Sequence, residues 1–191
     1  MAQIFFYLII AIIVFDFLFE RLLDYLNATR WSDTIPEKLK GIFNDEEYVK
    51  SQAYKKVNYR FEAITSSFSL LLILLMLIFK GFALVNNWSL DISENIIISA
   101  LIFFGIIGLA SDILNTPFSI YDTFVIEEKF GFNKTTPKTF ILDKLKGLLL
   151  AVVLGGGVLS LIIFLWTKTG IYFWLWAWGL MTLISIFMSL F

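Results

Sequence analysis

An all-α, polytopic membrane fold is what the sequence predicts: five transmembrane helices with long helical extensions on the cytoplasmic side. Three observations predict it. The 191 residues are 59% hydrophobic and 18% aromatic, and only 16% are charged, against about a quarter in a soluble domain. Apolar stretches near the length of a bilayer crossing recur along the chain. Fifteen Lys and Arg are distributed unevenly between the connections.

The first span is expected at residues 4–26. Asp16, Glu20, Arg21 and Asp24 lie in its second half. No positive segment precedes it and no small-x-small cleavage pattern follows, so it reads as a retained helix and not a signal peptide. A polar connection follows over residues 28–60. Pro36 suits the first turn of a short helix there. Asn44, with Glu47 three residues on, reads as a capping box opening a helix that meets no breaker before Lys80-Gly81. Such a helix is about 50 Å long, so only residues 61–79 are expected in the bilayer. Residues 81–95 read as a loop.

The third span is expected at 96–114. Thr116-Pro117 and Thr136-Pro137 each read as a cap residue followed by Pro at the first helical position. The first pair predicts a short helix to Lys129, stopped by Gly131. The second predicts a helix running on into a fourth span at 148–166. Gly155-Gly156-Gly157 within that span points to close helix packing in lipid. The fifth span is expected at 172–191, and the abrupt polar-free end suggests a chain that continues in its parent.

The connection after the first span holds seven Lys and Arg and that after the third holds five, whereas those after the second and fourth hold one each. This asymmetry predicts an outside N-terminus and cytoplasmic arms at 28–60 and 117–147. Trp166, Tyr172, Trp174, Trp176 and Trp178 then form an interfacial belt at the outer turn.

Composition excludes several classes. A formal net charge of −1 leaves no basic footprint for nucleic acid. No His and no Cys means no nitrogen–sulfur zinc site and no disulfide framework. Phosphate-loop, nucleophile-elbow and EF-hand patterns are missing. Asn87-Trp-Ser is the one glycosylation triplet on the expected outer side.

The polar residues that remain are few. Asp16, Glu20 and Asp24 share a helix face, as the lining of a watery cavity or as a helix emerging into headgroups. Asp112 sits near the cytoplasmic end of the third span. Glu127 and Glu128 are a general-base pair by residue type, but a surface ion pair with Lys129 fits their surroundings better. Asn133 follows Gly131-Phe132 and is expected to bond backbone in that turn. The aromatic residues of the two arms, Tyr48, Tyr54 and Tyr59 on one and Phe118, Tyr121, Phe124, Phe130 and Phe132 on the other, are expected to pack together.

Two stretches carry a family resemblance: Pro36 through Tyr54 with Arg60-Phe61, and Pro117 through Tyr121 with Phe124-Val-Ile-Glu-Glu-Lys-Phe-Gly-Phe-Asn-Lys-Thr-Thr136. Both resemble the N-terminal, five-helix part of the type I CAAX prenyl protease family of integral membrane zinc metalloendopeptidases. Many members carry His where this chain has Phe130. Glu127, Glu128, Gly131, Phe132, Asn133, Asp16 and Asp112 are the candidates for lining a substrate region or holding it in shape, and no catalytic residue is expected in this chain. The resemblance implies zinc in the parent protein, bound by a His-Glu-x-x-His helix in a catalytic domain beyond residue 191. The expected partners are the lipid bilayer, that missing domain, and a peptide or prenylated peptide. A bacterial inner membrane is expected over the endoplasmic reticulum. A stand-alone membrane module, a transporter or assembly subunit, is the alternative from a different class.

Overall fold

The computed structural model describes residues 2–32, 34–35, 41 and 44–190. Its elements in order are α1 (Ala2–Ala28), α2 (Asp45–Ile78), α3 (Gly81–Ile92), α4 (Ile96–Tyr121), a π-helical segment Asp122–Glu127, α5 (Pro137–Leu150), a second π-helical segment Ala151–Gly155, α6 (Gly156–Thr169), a 3-10 turn Gly170–Tyr172, and α7 (Phe173–Leu190). No strand occurs among the described residues. The short helix expected from Pro36, and residue 191 at the end of the fifth expected span, lie outside them.

Four helical runs are long and apolar enough to cross a bilayer: Gln3–Ala28, Asp45–Ile78, Ile96–Glu127 and Pro137–Phe187. The last contains two of the expected spans. It breaks at Gly170, whose backbone (φ 53°, ψ −121°) only glycine adopts readily, and α7 then packs against α6. The protein is an integral, multi-pass helical membrane protein.

Local sequence explains where the helices begin. Asn44 caps α2 by accepting from the Glu46 N–H at 3.0 Å, so the bond goes to the second helical residue and not the third. Thr136 caps α5 by accepting from the Thr139 N–H at 3.2 Å, with Pro137 in the first turn. Asn95 caps α4, its Oδ1 accepting from Ile97 and Ile98.

Two expectations are corrected. Residues 81–92 form helix α3, where a loop was expected. The turn-forming Asn86, Asn87 and Asp91 are carried on its exposed side while Val85 and Ser89, one turn apart, are buried. Thr116-Pro117 starts no helix: α4 runs through Pro117. A proline ring displaces the carbonyl one turn back. The helix widens to π geometry at Asp122–Glu127 and continues to Lys129. Within the triple glycine, one position meets a neighbouring helix. A Cβ on Gly156 would meet Leu101 Cδ2 at 3.6 Å, but on Gly155 or Gly157 it would meet nothing within 4 Å.

The chain divides into two compact units, Met1–Phe82 with Leu114–Lys134, and Ala83–Ile113 with Thr135–Phe191. In the first, α1 and the π-helical segment 122–127 both pack on α2. In the second, α7 packs on α6, and Lys144 Nζ of α5 donates to Asp112 Oδ1 of α4 at 2.7 Å.

Candidate functional site

The residues Glu127 to Asn133 end the helix that α4 begins, and the way it ends builds a site. Gly131 holds φ at 71°, a left-handed conformation that costs a side-chain-bearing residue about 1–2 kcal/mol. With the chain turned there, the Gly131 N–H reaches Glu128 O at 3.0 Å and the Phe132 N–H reaches Glu127 O at 2.9 Å. These two bonds are the Schellman pattern, which satisfies the carbonyls that a helix end otherwise leaves open. The Asn133 N–H also points at Glu127 O, at 3.3 Å.

The side chains close the turn a second time. Asn133 Nδ2 donates to Glu128 Oε2 at 2.9 Å. This corrects the expected ion pair of Glu127 and Glu128 with Lys129. The Asn133 side chain reaches a carboxylate, and Glu128 takes that amide, while Lys129 Nζ lies 5.7 Å over the Phe130 ring. Glu127 contributes its backbone carbonyl.

Once turned, the segment presents Phe130 and Phe132 to α2. The Tyr54 ring sits edge-on to both, with centroids 5.2 Å and 4.9 Å away. Lys50 Nζ lies 5.5 Å from the Phe132 centroid and 3.6 Å from where a Gly131 Cβ would stand. Phe130 and Ile126 are buried, and so is Gln52 of α2. Further along α2, Phe61 stacks on Tyr121 at 5.5 Å, and Phe118 lies 5.0 Å from Phe68. The expected packing of the two arms is therefore present at Tyr54 with Phe130 and Phe132, whereas Phe118 and Tyr121 meet rings of the expected span, Phe61 and Phe68. Tyr59 pairs with Trp31 instead, at 5.6 Å. Phe61 and Phe68 belong to the cluster without having been expected there; their spacing of seven on α2 was the available signal.

Asp16 and Glu20 are exposed on α1, and Arg21 pairs with Asp24. Asp112 lies in the other unit, paired with Lys144. The structure thus unites Glu127, Glu128, Gly131, Phe132 and Asn133 in one turn and leaves Asp16 and Asp112 outside it.

The turn offers hydrogen-bonded backbone, aromatic faces and the ammonium groups of Lys50 and Lys129, which suit holding a shape or receiving another segment. The arrangement has no acid–base pair poised on a common atom. Nor do the residues of this chain fit a zinc ion. The sequence supplies no imidazole or thiolate, and no group of three or more Asp or Glu gathers among the described residues.

Fold and turn together define a polytopic helical membrane domain with a built aromatic surface where α2 and the 117–134 arm meet. A family model described as CAAX prenyl protease N-terminal, five membrane helices, matches residues 24–191, and the chain belongs to that family. It is 32% identical over 189 residues to a CAAX prenyl protease 1 homolog of Oryza sativa, covering 94% of this chain and 44% of the relative. A Dictyostelium discoideum homolog is 34% identical over 157 residues, covering 80% and 37%. Among solved structures, S. mikatae Ste24p matches with a TM-score of 0.83 at 28% identity, over 95% of this chain and 44% of that one. The chain thus spans less than half the length of these relatives, and corresponds to their N-terminal membrane domain. The stand-alone module is not favoured.

Proposed function

We propose that this domain forms the membrane wall and the water-side surface of a zinc metalloendopeptidase that cleaves prenylated or other membrane-associated peptides. Its zinc ligands lie outside these 191 residues. The observation that carries the reading is the Glu-Glu-Lys-Phe-Gly-Phe-Asn turn: the block on which the resemblance rests is also the one that folds into a capped turn seated on α2. Zinc held elsewhere in such an enzyme would supply Lewis-acid chemistry. The residues of this chain do the rest of the work: they exclude lipid, set the shape of the arm and offer Tyr54, Phe132 and Lys50 as a seat for the catalytic segment.

The Lys and Arg asymmetry supports an outside N-terminus with both arms on the cytoplasmic side. That orientation serves a bacterial inner membrane and an endoplasmic reticulum membrane alike. Single cysteines at Lys55 and Asn87 should label from opposite faces; labelling of both from one face would overturn the orientation.

The functional test begins with the gene. Its reading frame should continue into a His-Glu-x-x-His helix, and the complete product should cleave a prenylated peptide. Phe132→Ala combined with Asn133→Ala should reduce that cleavage and expose the arm to trypsin at Lys129 and Lys134. A frame without the zinc motif, or unchanged cleavage and unchanged trypsin resistance in the double variant, would defeat the proposal.

A further inference from the structure

Helix α3 lies between two membrane-crossing helices but does not cross. Its 12 residues span about 18 Å, against a hydrocarbon core of about 30 Å. It is tied closely at both ends. Only Phe79 and Lys80 separate it from α2, with Lys80 turned into the left-handed region at φ 56°. Only Ser93, Glu94 and Asn95 separate it from α4, and three residues reach at most about 11 Å. Both neighbours enter the bilayer, so α3 is held at its surface whichever face that is.

Its side chains fall into four ridges, each stepping by one turn; Phe82, Asn86 and Leu90 form a mixed one beyond the buried side, and the other three lie side by side. Val85 and Ser89 form the first and are 7% and 1% exposed. Leu84, Trp88 and Ile92 form the second and are 50%, 50% and 66% exposed. Asn87 and Asp91 form the third, exposed and polar. The apolar ridge is continuous, carries a Trp at its centre and borders a polar ridge directly. That order, inside, apolar, polar, is what a helix needs when protein, acyl chain and water meet along its length. Trp favours such a boundary because its ring is apolar while its N–H seeks a polar partner.

We infer that α3 is an interfacial helix whose Leu84–Trp88–Ile92 ridge enters the headgroup boundary of the bilayer while Asn87 and Asp91 stay in water. The occupant of this ridge is lipid, because the helix is continuous at both ends with segments that already contact lipid. Recognition is apolar and not electrostatic: between Gly81 and Ile92 there is no Lys or Arg, and the one charge is Asp91. Anionic lipid therefore adds nothing to the attachment. The inference needs only membrane insertion and is independent of the proteolytic reading.

The absence of native cysteine permits a clean test. Single cysteines at Leu84, Trp88, Asn87 and Asp91, each carrying a nitroxide, are placed in the intact protein in phosphatidylcholine vesicles. Collision with oxygen, which concentrates in lipid, is compared with collision with a water-soluble nickel chelate. Oxygen should dominate at positions 84 and 88 and nickel at 87 and 91, with no change when phosphatidylglycerol is added. Nickel dominance at all four positions would overturn the inference. So would labels at 84 and 88 that neither reagent reaches, which would mean that another protein segment or a second copy covers the ridge. Two positions on each ridge keep the result readable if one variant fails to fold.

Discussion

The turn at 127–133 and the helices from Pro137 to Leu190 belong to one chain and use opposite means of stabilisation. The turn, with the helix before it, buries Ile126 and Phe130 and seats two aromatic rings against Tyr54 of α2. Among the described residues of α5, α6 and α7 none is buried, and Trp174, Trp176 and Trp178 are more than half exposed. The proposed orientation accounts for the difference by the solvent each region meets. With the arm on the water side, as proposed, apolar surface left in water would cost about 25 cal/mol per Å², so the arm would need its own small core. Within hydrocarbon that force vanishes, and a helix is free to leave its side chains facing outward. The arm is accordingly where substitution of one residue carries most weight.

The largest effect is expected at Phe130. Phe130→Ala removes the ring that meets Tyr54 and should destabilise the arm by about 3–5 kcal/mol, measured as faster amide exchange at Gly131 and Phe132. Unchanged exchange would mean that the arm is held from elsewhere. A smaller loss is expected at Gly131, where Ala must adopt φ 71°; about 1–2 kcal/mol should be lost, with faster exchange at the same two amides. On the other side of the comparison stands Gly157. A Cβ there meets nothing within 4 Å, so Gly157→Ala should cost nothing and add up to about 1 kcal/mol of helix stability, read from thermal unfolding in detergent. A clear loss would show that α6 is packed where its surface looks free.

Much of this contrast was legible in the sequence. Caps at Asn44 and Thr136 announce themselves because the chemistry is local: one side-chain oxygen meets an N–H two or three residues on. The spans follow from apolar length, and Gly131 from its place after a helix-forming run. What was illegible depends on contacts or on solvent. Helix α3 carries Asn86, Asn87, Ser89 and Asp91, which favour turns, yet it forms with Val85 and Ser89 buried, and burial is not written in residue type. Pro117 reads as a helix start in water, yet α4 continues through it. The π-helical segments at 122–127 and 151–155 leave no mark in residue type. In the site, Tyr54 was visible as an aromatic residue of an arm, but nothing in sequence ranked it above Tyr48 or Tyr59. The Glu128–Asn133 bond depends on the turn geometry that Gly131 creates, so it emerges only once the turn is built.

The most direct test of the account is a double-mutant cycle between Tyr54 and Phe130. Tyr54→Leu, Phe130→Leu and the double variant are compared by exchange protection of the Phe132 amide, whose N–H donates to Glu127 O at 2.9 Å. Rings in edge-on contact should show a coupling of about 0.5–1.5 kcal/mol. Strictly additive losses would contradict the seating of the turn on α2.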